Sequence, residues 1–403
     1  MKRFVIVLLV IVLAFSAVAG IGFVAGKEQA LPQQEQAQPQ ESIQPVAYEV
    51  LDFEAIKALH APDEIVLTVD GQQIRWDEYL SWLYMSCQQT QQFIATMANY
   101  GMEVHWKDMV GEDPEETYAS TSIDAAETTL CQLITLEGYA RAEGIELDQE
   151  SLDQIQAKKD SDMKATVGED ASEEEFIEYL ESKYRCSAAY ERTNLVSAIS
   201  EQHLRDIYGL EGEKAEAEKV LAFLKDQQYM AANHILFMTA DPQTGEALGE
   251  DEVKAMEEKA RETAQELMAI EDPQERMERF LELKEELDQD TGKTAFPQGY
   301  VFLPGQMVTE FEEAAKSLEP YAVSEPVKSS FGYHVMIGVE MEPDMLVTYS
   351  NTGEALSARD MYVNYDYAQG LDKYMAALSF EYAPGFQPPV LAEYAVSSAD
   401  IQD

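Results

Sequence analysis

Five histidines, His60, His105, His203, His234 and His334, are the side chains of this sequence best suited to proton chemistry near neutral pH. Two of them sit in strand-like runs. His234 lies in AANHILFM (Ala231 to Met238) and His334 in the run from Tyr333 to Glu340. Side chains alternate along a strand, so His234, Leu236 and Met238 share one face, as do His334, Met336 and Gly338. If the two strands are neighbours, the rings can meet on one side of a sheet. If not, they are two half-buried structural histidines, and the spacing alone leaves both open. Cys87, Cys131 and Cys186 are odd in number and widely spaced, with no CxxC and no Cys/His cluster at zinc-ligand spacing. They read as buried small hydrophobes.

Other constellations carry less. With 76 Asp and Glu residues, carboxylate pairs at hydrolase-like spacing arise by chance. Runs such as Glu173-Glu174-Glu175 and Glu250-Asp251-Glu252 read as solvated helix starts favoured by the helix dipole, rather than calcium sites. Residues 47–230 show no Gly-rich phosphate loop and no nucleophile elbow. Its 28 Lys and Arg residues leave a formal charge of −48. A polyanion gains nothing from counterion release, so nucleic acid is excluded as a partner, as is electrostatic docking to anionic lipid. Basic or unfolded polypeptides remain.

The elements that must position the histidines follow from length and patterning. At 403 residues and 46% apolar composition, two or three domains with real cores are expected. Lys2 and Arg3 precede an apolar run from Phe4 to Gly26, so residues 1–26 read as a signal peptide, with Ala17-Val18-Ala19 as the cleavage signal, or as a membrane anchor. Either places the rest outside the cytoplasm, secreted or membrane-anchored. No cysteine follows the run, so a lipoprotein anchor is not expected. Gly22 and Gly26 form a GxxxG spacing that could pair two anchors, which leaves a homodimer open. Residues 27–46 are Gln/Pro/Glu-rich and read as a flexible linker.

Residues 47–230 open with two short strands around Asp70-Gly71. They continue as helices over Tyr79 to Tyr100, Ile123 to Glu143, Glu173 to Arg185, Cys186 to Ile207 and Glu213 to Gln228. Gly144 reads as a helix stop and Asp148 as the next start. From Ala231 to Met341 the order is β-α-α-β-α-β-β, an α+β unit. Residues 342–403 carry one main helix, around Ala358 to Leu378, and are too few to fold alone. They are expected to pack back on the first helical domain, leaving the α+β unit as an insert.

Within that unit, Asn233-His234-Ile235-Leu236 resembles the opening strand of the parvulin-type peptidyl-prolyl isomerases. Gly305-Gln306-Met307-Val308 with Glu310-Phe311-Glu312-Glu313-Ala314-Ala315 is similar to their GQMV-x-EFE-x-A helix. Val323-Ser324-Glu325-Pro326-Val327 and Phe331-Gly332-Tyr333-His334-Val335 resemble their closing segment. More weakly, TVDGQQIRWDEY and Ala142-Glu143-Gly144-Ile145 resemble the helical part of secreted PrsA/SurA-type foldases. The resemblance implies a parvulin-like domain at 231–341, with a four-stranded, mostly antiparallel sheet and packed helices. That domain would be inserted in a mainly helical chaperone domain.

The resemblance also implies roles. His234 and His334 would be the paired histidines of the catalytic floor. Asp290 falls where the family carries a Cys or Asp, and Ser329 supplies a hydroxyl near the rings. Met307 and Phe311 would line an apolar groove for the proline ring, with Phe302 beside them. One segment departs: the family's GGDLG is replaced by Phe296-Pro297-Gln298-Gly299-Tyr300, so no groove residue is assigned there. The loop Thr239 to Glu246 has no Lys or Arg, so ordinary X–Pro bonds are expected as substrates rather than phosphoserine-proline. Isomerisation forms no bond to the substrate, and no metal or cofactor is implied. The expected protein is an extracytoplasmic folding factor that isomerises X–Pro bonds in unfolded or newly secreted polypeptides. The alternative is a non-catalytic holdase whose degenerate parvulin domain docks peptides.

Overall fold

A computed structural model describes residues 46–210, 212–241, 244–347 and 356–400. The segments read as anchor and linker, including Gly22 and Gly26, lie outside the described residues, apart from Val46. Among the described residues no helix is long and apolar enough to cross a membrane. The chain divides into two compact units: Ile207–Tyr367, and the described residues on either side of it. The segment 231–341 lies within the first.

The flanking residues form a mainly helical unit. Strands Ile65–Val69 and Gln72–Arg75 make a hairpin whose turn residues Asp70 and Gly71 both have positive φ, 48° and 75°. That turn geometry matches the twist of paired strands. Strand Phe380–Tyr382 adds antiparallel to the free edge of Ile65–Val69, and Glu49–Leu51 pairs with Ala395–Ser397. Helix Trp76–Asn99 packs on helix Tyr118–Ala142, burying Trp76, Tyr79, Trp82 and Leu83 with Leu130 and Ile134. The second helix starts earlier than its apolar pattern suggests because Thr117 caps it, accepting the Ser120 amide. Asp148 caps Gln149–Thr166 in the same way through Ser151.

The other unit is built on a sheet. In chain order its elements are α1 (Ala217–Asp226), β1 (Met230–Met238), α2 (Glu250–Met268), α3 (Pro273–Leu287) and β2 (Tyr300–Phe302). Then come α4 (Thr309–Ser317), β3 (Val327–Lys328), β4 (Gly332–Gly338), β5 (Leu346–Val347) and β6 (Leu356–Ser357). Helix Ala358–Ala376 follows; its first half belongs here, where Tyr362 and Tyr365 pack on Phe223 of α1. The rest of that helix belongs to the helical unit, where the Tyr374 hydroxyl donates to Asp70.

The strand order is β3-β4-β1-β2-β5-β6, antiparallel throughout except for the parallel β2–β5 pair. The sheet therefore has six strands where four were expected. Four of them, β3, β4, β1 and β2, are those of the β-α-α-β-α-β-β order, and the two-residue strands β5 and β6 extend the β2 edge. That edge would otherwise present unpaired backbone groups. Val347 pairs with Val301 and is buried, so the extension also completes the core there. Two residues are too few to show a period-2 pattern, so the sequence carries no signal for these strands.

Strand alternation sorts the two faces. Ile235 and Phe237 of β1, with Tyr333, Val335 and Ile337 of β4, face the apolar stripes of α2 and α3. Ala232 and Met336 face the other way, into a cluster with Tyr300, Phe302 and Phe311. Gly332 opens β4 at φ 149°, where a Cβ would lie 2.1 Å from the Phe237 carbonyl oxygen. Only glycine permits so close an approach.

Candidate active site

The β1–β4 register brings the two histidines together. His234 lies opposite Met336 and His334 opposite Leu236, so the rings are diagonal neighbours on one face. Their Nδ1 atoms are 2.9 Å apart and their planes 16° from parallel. Both residues are buried, 5% and 3% exposed. Ser329, in the β3–β4 turn, places its Oγ 2.7 Å from His334 Nε2 and accepts the Phe331 amide at 3.1 Å. Asp290, just after α3, places Oδ2 3.0 Å from His234 Nε2. Its Oδ1 accepts the Gly292 amide at 3.0 Å, which caps a short 3-10 turn and fixes the carboxylate. All four expected polar residues thus form one chain.

A fifth member was not foreseen. The Tyr300 hydroxyl donates to Asp290 Oδ2, and its ring stands edge-on to His234 at 5.5 Å. Tyr300 ends the segment that departs from the family pattern, so motif comparison assigned nothing there. Alternation on β2, which puts Tyr300 and Phe302 on one face, is the signal that could have found it. The turn before it is held by Asn233, whose Nδ2 donates to the Pro297 carbonyl at 3.2 Å. Asn233 Oδ1 accepts the His234 amide at 2.9 Å and the buried Lys284 ammonium at 2.6 Å. Asp288 accepts the Leu236 and Asp290 amides, fixing the segment that carries Asp290 against β1.

The protonation states follow from these partners. Burial alone would raise the Asp290 carboxyl. Hydrogen bonds from His234, Tyr300 and the Gly292 amide outweigh burial and hold it well below the usual carboxylate range. For His334, burial disfavours the charged ring, nearby His234 adds to that and Asp290 opposes it. The result is a value lowered to about 3. Asp290 can only accept, so His234 Nε2 carries a hydrogen. A neutral His334 carries one ring hydrogen; placed on Nδ1 it is donated to His234 Nδ1, and His334 Nε2 then accepts from the Ser329 hydroxyl. Every donor then points one way, from Ser329 to Asp290.

The apolar side comes from α4. Phe311 stands edge-on to both histidines, with centroids 5.2 and 5.6 Å away. Phe302 is fully buried behind Phe311 at 5.7 Å, so it props that ring rather than lining an open surface. Met307 is half-buried against the same cluster. Glu312 accepts the Gly305 and Met307 amides at 2.7 and 3.0 Å and so fixes the GQMV turn. Pro242 and Gln243 of the Thr239–Glu246 loop lie outside the described residues.

Residues 234–338 match the Rotamase family model, a PPIC-type PPIASE domain. The "Parvulin-like PPIase" of Rickettsia prowazekii is 44% identical over 68 residues, 16% of this chain and 24% of that protein. "Foldase protein PrsA 1" of Bacillus cereus is 49% identical over 59 residues, 14% of this chain and 20% of that protein. "Chaperone SurA" of Nitrosococcus oceani is 42% identical over 52 residues, 13% of this chain and 12% of that protein. The matches thus span about a quarter or less of these relatives. The crystal structure of PrsA from Bacillus subtilis aligns at 16% identity over 68% of this chain and 91% of that one, with a TM-score of 0.24. Residues 234–338 thus form a parvulin-type, PPIC-type domain, and stretches of 59 and 52 residues are similar to a PrsA foldase and a SurA chaperone.

Proposed function

We propose that the sheet unit catalyses cis–trans exchange of unphosphorylated X–Pro bonds in unfolded polypeptides outside the cytoplasm. The observation that carries this is the Ser329–His334–His234–Asp290 chain lying edge-on beneath Phe311. The uncatalysed barrier is about 18–20 kcal/mol because rotation breaks amide resonance. A thousandfold acceleration needs only about 4 kcal/mol of it. The planar amide is more polar than the twisted one. The buried Phe311 ring keeps the two histidines dry, and half-buried Met307 beside it offers an apolar contact, so the site disfavours the ground state relative to the transition state. Asp290 and Tyr300 hold His234, and His234 holds His334, so the polar floor needs no reorganisation as the carbonyl turns.

The order Ser–His–His–Asp also invites a nucleophilic reading of Ser329. The value of about 3 at His334 argues against it, since so weak a base cannot accept the serine proton at neutral pH. The extracytoplasmic setting rests on the basic start and apolar run of residues 1–26. The preference for unphosphorylated bonds rests on the absence of Lys and Arg from Thr239 to Glu246.

The test is exchange NMR on a short unphosphorylated X–Pro peptide, with the chain from Lys27 onward. The parent should accelerate exchange, and His234→Ala should lose about a hundredfold of that rate while keeping the parent's circular dichroism. A folded parent without acceleration would leave the holdase as the remaining reading.

A further inference from the structure

The helical unit holds a cavity of about 410 Å³ between helix Tyr118–Ala142 and residues 372–380. That volume is within the range of ligand pockets, large enough for one long side chain and too small for a folded partner. Its walls divide by chemistry. Met375, Leu378 and Phe380 are apolar, while Asp124, Glu127 and Asp372 bring carboxylates, and no Lys or Arg lines it. The Tyr79 and Tyr382 hydroxyls both donate to Glu127 Oε1, at 2.9 and 2.7 Å, leaving Oε2 outside that pair of bonds. Across the cavity, Asp372 Oδ1 is shielded from solvent and has no hydrogen-bond partner. A carboxylate with one oxygen shielded and without a donor carries a cost that the charge of a cation held beside it in the cavity would offset.

The cation is not a bare metal ion, since among the described residues no group of three or more His, Cys, Asp or Glu is placed to hold one. The apolar wall asks for a cation on an aliphatic stem. We infer that this cavity takes a lysine or arginine side chain of an extended, unfolded polypeptide, its stem on Met375, Leu378 and Phe380 and its charge between Glu127 and Asp372. The inference rests on the reading of the chain as a folding factor. The charge of −48 draws basic segments toward the protein at long range, and the cavity selects one side chain at short range.

Fluorescence anisotropy with a labelled, proline-free, otherwise neutral peptide carrying one lysine tests it, using the chain from Lys27 onward. Ala376 lines the cavity and is exposed, so Ala376→Trp blocks the space without changing charge. Acetylating the lysine, Asp372→Asn and Ala376→Trp should each weaken binding about tenfold or more, with circular dichroism unchanged. Equal affinity for the acetylated peptide, or for Ala376→Trp, would overturn the assignment. So would absence of binding by a parent that still suppresses aggregation of an unfolded client, in which case the folding-factor reading stands and the cavity assignment falls. A parent that does neither overturns both.

Discussion

Asp290 in the sheet unit and Glu127 in the helical unit are both sheltered carboxylates that accept tyrosine hydroxyls, yet their protonation is pushed in opposite directions. Burial raises both. At Asp290, bonds from His234, Tyr300 and the Gly292 amide overcome burial and the carboxyl is held low. At Glu127, bonds from Tyr382 and Tyr79 are too few to offset burial, Asp124 adds like charge, and the carboxyl is raised. The difference is in the donors: a backbone amide and a ring nitrogen join the phenol in one case, and in the other two phenols share one oxygen. Asp290 is thus built to stay ionised and orient a ring. Glu127 holds its charge at a cost and is poised to accept a counter-charge.

Acid should break this comparison most strongly. His334 titrates near 6.5 in an unfolded chain and at about 3 in the fold, so between those values the unfolded state binds more protons. The stability it contributes is complete above about 6.5 and drains as the pH falls toward 3. Asp290 acts in the same sense lower down: its contribution is present above the usual carboxylate value and lost below it. Glu127 has the reverse sign, because the fold binds its proton more readily than the unfolded chain does. Hydrogen exchange from pH 7 to 4 should therefore show protection in Met230–Met238 and Gly332–Gly338 falling much more than in Trp76–Asn99. Equal losses in both places would mean that His334 is not held neutral by burial.

Neutral isosteres should give smaller effects of opposite sign. Asp290→Asn removes the ionised acceptor beneath His234 and should cost roughly 1.5–3 kcal/mol at pH 7, the scale of a hydrogen bond to a charged group. Glu127→Gln keeps an oxygen for the two tyrosines and removes a sheltered charge, so it should stabilise at pH 7, with a gain that fades in acid. Trp76, Trp82 and Trp106 are the chain's three tryptophans and all lie in the helical unit. Their fluorescence in a urea titration reads Glu127→Gln directly, while Asp290→Asn is read by amide protection along Met230–Met238. A Glu127→Gln variant less stable than its parent at pH 7 would show that its charge is already compensated.

How much of this the sequence discloses depends on the range of the interaction. His234 and His334 were legible because each lies in a run with strand alternation and a family motif, and the residues between them supply one consistent element order. Asp290 and Ser329 were legible only through resemblance, since a lone acid and a lone serine carry no periodic signal. Tyr300 was hidden because it sits where the motif departs. The Glu127 cluster was hidden for a different reason: its tyrosines come from 48 residues before and 255 residues after it, and no local pattern spans that distance. The two-residue strands at Leu346–Val347 and Leu356–Ser357 are too short for any pattern.

The finest test compares the tyrosines themselves. Tyr300→Phe removes one of three donors that keep Asp290 low, and His234 and the Gly292 amide remain. The proposed isomerase rate should fall only about three- to tenfold, on the scale of a single net hydrogen bond of about 1 kcal/mol. The ring still braces His234 at 5.5 Å, so KM should be unchanged and the loss should fall on kcat. Tyr382→Phe removes one of the two hydroxyls that reach Glu127 among the described residues and should leave that rate untouched, while lowering the tryptophan-monitored urea midpoint. The two substitutions are chemically identical, so any difference in readout reports what each carboxylate is for. If Tyr300→Phe lowered stability and left the isomerase rate intact, Asp290 would be an anchor for the loop after Leu287 and not the support of the paired histidines.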